Sequence, residues 1–130
     1  MCSTLAHPQP ALRRLGFGLL ALMLLVAVVA ETMARSTGWW PILAFALTPD
    51  LAFVLGGSGR GLVRGQMHPR SVPVYNALHR FGGPAALGVL AAGGLVPAAL
   101  LVGALTWAFH IAFDRAVGYG LRTPDGFQRL

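Results

Sequence analysis

Charge is scarce in this sequence, and lysine is missing altogether. Only four of the 130 residues are acidic, Glu31, Asp50, Asp114 and Asp125, and all ten basic residues are arginine. The charged fraction is 11%, against ~25% in an ordinary soluble domain. With 55% hydrophobic residues and a mean hydropathy of +0.65, so few charges cannot clothe a soluble globular domain, and that class is excluded. The same balance excludes intrinsic disorder, which needs low hydrophobicity and high charge. A single cysteine, Cys2, excludes a disulfide scaffold. The class that remains is an integral membrane protein.

Long apolar runs are what the chain has in their place. A helix crosses a bilayer with ~20 mainly apolar residues. Four stretches qualify, at about 15–34, 39–57, 72–93 and 97–118. Trp39 and Trp40 open the second, where interfacial aromatics belong. Gly93-Gly94-Leu95-Val96 is the expected turn between the last two, and Pro97 suits the first turn of a helix. The expected fold is an all-α bundle of four transmembrane helices over residues 13–122. It lies between a mobile tail at 1–12 and a C-terminal tail at 123–130. Three crossings with one long buried stretch is the other count.

Arginine placement orients the bundle. With the N-terminus inside, Arg13, Arg14, Arg60, Arg64, Arg70, Arg80, Arg115, Arg122 and Arg129 fall on the cytoplasmic side, and only Arg35 falls outside. The positive-inside rule then puts both termini in the cytoplasm. A cleaved signal peptide is the rival for the first segment, with Arg13-Arg14 as its basic region and Val28-Val29-Ala30 as its cleavage site. The net charge of +6 does not point to nucleic acid, because no basic patch is interleaved with exposed aromatics. It points to the lipid bilayer, with Arg60, Arg64 and Arg70 of the inner loop against lipid heads. Gly56-Gly57-Ser58-Gly59-Arg60-Gly61 lacks the ending of a phosphate-binding P-loop and reads as a flexible inner loop.

Polar residues within crossings invite a functional reading. Asp50, His79, His110 and Asp114 lie on three different crossings, yet their positions place all four ~6–12 Å from the same inner boundary. His110 and Asp114 share a helix face at i, i+4. Thr48-Pro49-Asp50 reads as a helix start in mid-crossing, so the second helix should be kinked or broken beside its carboxylate. Two imidazoles and two carboxylates are a ligand set for one divalent ion, zinc, iron or manganese. Such an ion would activate water near the inner leaflet. Asn76, Arg80 and Arg115 are the candidates to contact an anion or substrate. An interhelical polar network and a proton or ion path are the readings that compete with a metal. Ala108, Ala112 and Ala116 form a small-residue stripe that lets a neighbouring helix approach closely.

The blocks Pro49-Asp50-Leu51, Tyr75-Asn76-Ala77-Leu78-His79 and, above all, Trp107 through Leu121 (WAFHIAFDRAVGYGL) resemble a small bacterial integral membrane family, the domain-of-unknown-function family numbered 4260. The resemblance spans about Leu12 to Phe127. It implies a four-helix protein of the bacterial inner membrane, with polar positions at Asp50, Asn76, His79, His110, Asp114 and Arg115, and it supplies no established activity. Family members carry a glutamate near the position of Gly16. A looser pattern, an early Asp followed by a late His-x-x-x-Asp, is similar to membrane-bound metal-dependent hydrolases of the YdjM type. Three functions are therefore expected in competition: a metal-dependent hydrolase at the membrane, a non-catalytic subunit packed against other membrane proteins or itself, and a small oligomeric transporter or proton path.

Overall fold

The computed structural model describes residues 10–57 and 59–129. Residues 1–9, including Cys2 and His7 of the expected tail, and Ser58 of the glycine-rich loop lie outside the described residues. Five α-helices follow in order: α1 (Pro10–Arg35), α2 (Trp40–Leu47), α3 (Val72–Leu78), α4 (Gly82–Ala92) and α5 (Ala99–Val117). A 3-10 helix, Thr48–Gly56, continues α2, and a short one, Pro69–Ser71, leads into α3. Among the described residues there is no strand. The fold class is all-helical, as expected.

Helix α1 has 26 residues and spans ~39 Å. It starts at Pro10 because proline suits a first helical turn, so 10–12 belong to the helix and not to the expected tail. At its far end Glu31 pairs with Arg35, and the Thr32 hydroxyl donates to the Val28 carbonyl at 2.7 Å. Helix α5 is the centre of the fold and packs on α1, α2 and α4. Its small residues make that possible. A side chain at Gly103 would start 2.5 Å from the Phe45 ring of α2. Ala116, from the predicted stripe, faces Gly18 of α1. Val102, Ile111 and Ala112 are wholly buried.

Helix α4 ends as the sequence predicts. Gly94 takes a left-handed φ of 73°, which costs glycine nothing. The amide of Leu95 donates to Leu90 and that of Gly94 to Ala91. This is the paired 6→1 and 5→2 closure of a helix end.

The second and third expected crossings are each interrupted. Pro49 has no amide proton and cannot continue the α-helix. The chain tightens into the 3-10 helix there, while the Thr48 hydroxyl takes up the Ala44 carbonyl at 2.7 Å. The 72–93 stretch breaks at residues 79–81, between α3 and α4. Among the described residues only α1 and α5 are single helices long and apolar enough to span a membrane, two candidate spans where the sequence reading expects four. Helix α1 is largely exposed, with 11% of its most apolar stretch buried, whereas 33% of that of α5 is buried and most of the rest is half-buried.

The expected C-terminal tail is built into the fold over its described part, 123–129. Arg122 pairs with Gln128 in an isolated antiparallel bridge. The Met67 amide donates to the Gly126 carbonyl at 2.9 Å, and the Gln66 amide side chain donates to the Asp125 carbonyl at 2.8 Å. Beneath this clasp, Ala52, Met67, Val72 and Tyr75 form a small core. It ties the 3-10 helix, the inner loop and α3 together at one end of the bundle.

Candidate functional site

The two interrupted segments deliver their polar residues at the interruptions. Asp50 follows Pro49 in the first turn of the 3-10 helix. His79 is the residue at which α3 stops. The intact helix α5 supplies the other two, His110 and Asp114, one turn apart.

The four side chains converge. His79 Nε2 lies 3.3 Å from Asp114 Oδ2 and 4.0 Å from Asp50 Oδ1. His110 Nε2 lies 3.6 Å from Asp114 Oδ2 and 3.7 Å from Asp50 Oδ1. One donor atom each from Asp50, His79 and His110 falls within 4.8 Å of the others. The predicted set is thus brought together, across a sequence separation that no local motif spans. His79 is 2% exposed, whereas the Asp50 side chain is 50% exposed, so the cluster is closed on the His79 side and open at Asp50.

The hydrogen bonds around His79 decide its tautomer. Its Nδ1 is 2.9 Å from the Tyr75 carbonyl. A carbonyl can only accept, so Nδ1 carries the proton and donates it. A neutral ring then presents the Nε2 lone pair to the cluster. Both Nε2 atoms, of His79 and of His110, are buried without a hydrogen-bond partner among the described residues. Each faces carboxylate oxygens at 3.3–4.0 Å, a spacing that an ion pair or a shared cation fills. It is the arrangement that metal-ligating histidines adopt, with the outer nitrogen fixed by a backbone carbonyl. At bonds of ~2.0–2.2 Å, tetrahedral donor atoms stand ~3.3–3.6 Å apart, which is the spacing at Asp114 and slightly less than that at Asp50.

Helix α5 also holds the break open. Trp107 Nε1 donates to the Leu78 carbonyl at 2.8 Å, and Arg115 donates to the His79 carbonyl at 3.0 Å. These are carbonyls that α3, having stopped, leaves without helical partners. The Tyr75 ring stacks on His79 with centroids 3.8 Å apart. Every polar member of the Trp107-to-Arg115 block therefore acts on His79 or its neighbour. Gly118 then closes α5 with a φ of 99°.

Other sequence candidates land elsewhere. Asn76 makes a two-way pairing with the backbone of Arg122, donating at 2.9 Å and accepting at 2.7 Å, so it fixes the C-terminal segment and does not face the cluster. Arg80 is exposed and forms no salt bridge among the described residues. Arg115 is bound to backbone carbonyls, of His79 and of Tyr119. Arg60, Arg64 and Arg70 are exposed on the inner loop. Sequence reasoning missed Arg122, which is 8% exposed. It donates to the carbonyls of Gly65 and Gly126, each at 2.9 Å, and stands 5.4 Å over the Tyr75 ring.

A family described as a domain of unknown function, DUF4260, matches residues 14–130. The chain belongs to the DUF4260 family. No curated protein and no solved structure matches it. The looser likeness to YdjM-type hydrolases finds no support, and DUF4260 membership carries no activity with it. The site of this DUF4260 protein rests on its own geometry.

Proposed function

We propose that this is a multi-pass protein of the bacterial cytoplasmic membrane that holds one divalent metal ion, zinc, iron or manganese, between Asp50, His79, His110 and Asp114. In this reading it uses the ion for hydrolysis at the inner face. The observation that carries the metal reading is the pair of buried Nε2 atoms, unpartnered and aimed at two carboxylates. Asp50, His79 and His110 serve as ligands. Asp114, close to both imidazoles, would be a fourth ligand or a general base beside the ion, whose chemistry would be the activation of water. The open side at Asp50 is where substrate would reach the ion, and phospho- and acyl-lipids are the substrates to screen.

The membrane placement draws support from the length and apolarity of α1 and α5 and from the exposure of α1. The broken segments also have the reach. Eight α-helical residues and nine 3-10 residues, Trp40–Gly56, extend ~30 Å, the thickness of a hydrocarbon core. Discontinuous helices of this kind surround sites at membrane depth. The amino end of α1 meets the carboxyl end of α5, Gly18 against Ala116 and Arg14 against Gly118. That matches the arginine count, which puts both termini in the cytoplasm.

The test is elemental analysis of the detergent-purified protein beside His110→Ala, both grown with added metal. Near-stoichiometric metal in the wild type and its loss in the variant are expected. No metal in either would sink the centre and leave the cluster as interhelical bonding. Isolation with a partner membrane protein would then favour the accessory-subunit reading.

A further inference from the structure

A second polar feature lies at the end of the bundle where α1 begins and α5 ends. Arg13 and Arg14 of α1, Arg115 of α5 and Arg129 of the C-terminal segment line one pocket with Gly118 and Tyr119. Its volume is about 280 Å³. None of the four arginines forms a salt bridge among the described residues, where the pairs are Glu31–Arg35 and those of the His/Asp cluster. Four like charges around one concavity repel one another, and the fold does nothing among its described residues to neutralise them. Gly118 is in direct contact with the Arg14 guanidinium, so a side chain there would displace it. The Arg115 guanidinium is already oriented by its bonds to the carbonyls of Tyr119 and His79.

We propose that this pocket binds the phosphate-bearing headgroup of an anionic phospholipid. Guanidinium forks match phosphate oxygens in pairs, more specifically than an ammonium does. The volume is just under the ~300–1,000 Å³ of small-molecule sites, enough for a headgroup and too small for an acyl chain. Apolar surface for the chains is at hand: Tyr119 of the lining is exposed, as are Leu12, Leu15 and Val117, each next in sequence to a lining residue. A charged pocket bordered by bare apolar surface, at the ends of the two long apolar helices, suits an amphiphile better than a free anion. Basic pockets between helices on the cytoplasmic side take anionic headgroups in this way. The inference rests on the membrane placement proposed above and is independent of the metal.

Binding is read by native mass spectrometry of the full-length protein, purified from the membrane fraction in neutral detergent. Phosphatidylglycerol, phosphatidylcholine and inorganic phosphate are the added probes. Phosphatidylglycerol should be retained preferentially, and inorganic phosphate should not displace it. Each arginine removed should weaken retention about fivefold, so Arg14→Ala/Arg129→Ala should lose about 25-fold. Arg13→Gln alone should lose about fivefold, and Arg35→Ala, at the opposite end, should lose nothing. Equal retention of the two lipids, an unchanged double variant, or displacement by inorganic phosphate would each overturn the lipid site. Recovery of the protein in the soluble fraction would overturn the membrane placement itself.

Discussion

Replacing Arg122 by methionine should destabilise the protein by about 3 kcal/mol, although Arg122 is neither in the His/Asp cluster nor in an apolar core. Methionine keeps the aliphatic stem and removes the guanidinium. Two charge-assisted hydrogen bonds vanish, to Gly65 and Gly126, each ~1.5–3 kcal/mol. The contact over the Tyr75 ring is worth a further ~0.5–2 kcal/mol. Three effects reduce the sum. The Gly65 carbonyl is on an exposed residue and regains water. The Gly126 carbonyl keeps its bond from the Met67 amide. The desolvation cost of a buried cation is also relieved. About 3 kcal/mol remains, or ~10 °C in Tm for a chain of this length. The assay is thermal unfolding in detergent, with Arg35→Met as the comparison. The Arg35–Glu31 pair is exposed, and its loss should cost below ~1 kcal/mol. A shift for Arg122→Met no larger than that for Arg35→Met would refute the account of the clasp.

Three further outcomes are expected. Arg115→Met frees the His79 carbonyl without touching a ligand, and metal affinity measured by chelator competition should fall about 10- to 100-fold. Gly103→Val should lower Tm, because its side chain would collide with the Phe45 ring at a cost of ~1–3 kcal/mol; Phe45→Ala in the same chain should recover part of the loss, and no recovery would count against the contact. Metal should leave as pH falls, because both imidazoles must be neutral to ligate and protons compete for the same nitrogens. Dialysis at stepped pH followed by metal analysis should show retention at pH 7.5, release towards pH 5 and uptake on return; acid-insensitive retention would exclude histidine ligation.

How much of this was legible in the sequence depends on how local the cause is. The break at Asp50 was, because Pro49 forbids the helical bond whatever surrounds it. The turn at Gly94 was, because glycine fits the left-handed residue that closes α4. The cluster was legible only as a coincidence of depth, since Asp50, His79 and the His110/Asp114 pair lie far apart along the chain. The break after His79 was not foreseen. No proline sits there, and what holds it open is Trp107 and Arg115, 29 and 36 residues away from their acceptors. Gly82-Gly83-Pro84, just beyond, was the available signal. Arg122 was invisible for the same reason: its acceptor at Gly65 is 57 residues away, and a lone arginine after a glycine-rich turn reads as tail.

The interruptions and the cluster are one feature, and the order of cause runs from backbone to site. A helix broken in apolar surroundings leaves carbonyls and amides without partners, each costing several kcal/mol in hydrocarbon. Polar side chains must therefore gather at a break if the break is to persist. Here Trp107 and Arg115 take the freed carbonyls of Leu78 and His79. Asp50, His79 and His110 satisfy none of those carbonyls with the atoms they turn inward, and two of those atoms are left without a partner. Backbone need thus accounts for the tryptophan and the arginine, whereas the histidines and carboxylates answer to one another. The convergence of two buried Nε2 atoms on two carboxylates, and not the mere presence of charge, is the argument for a bound ion.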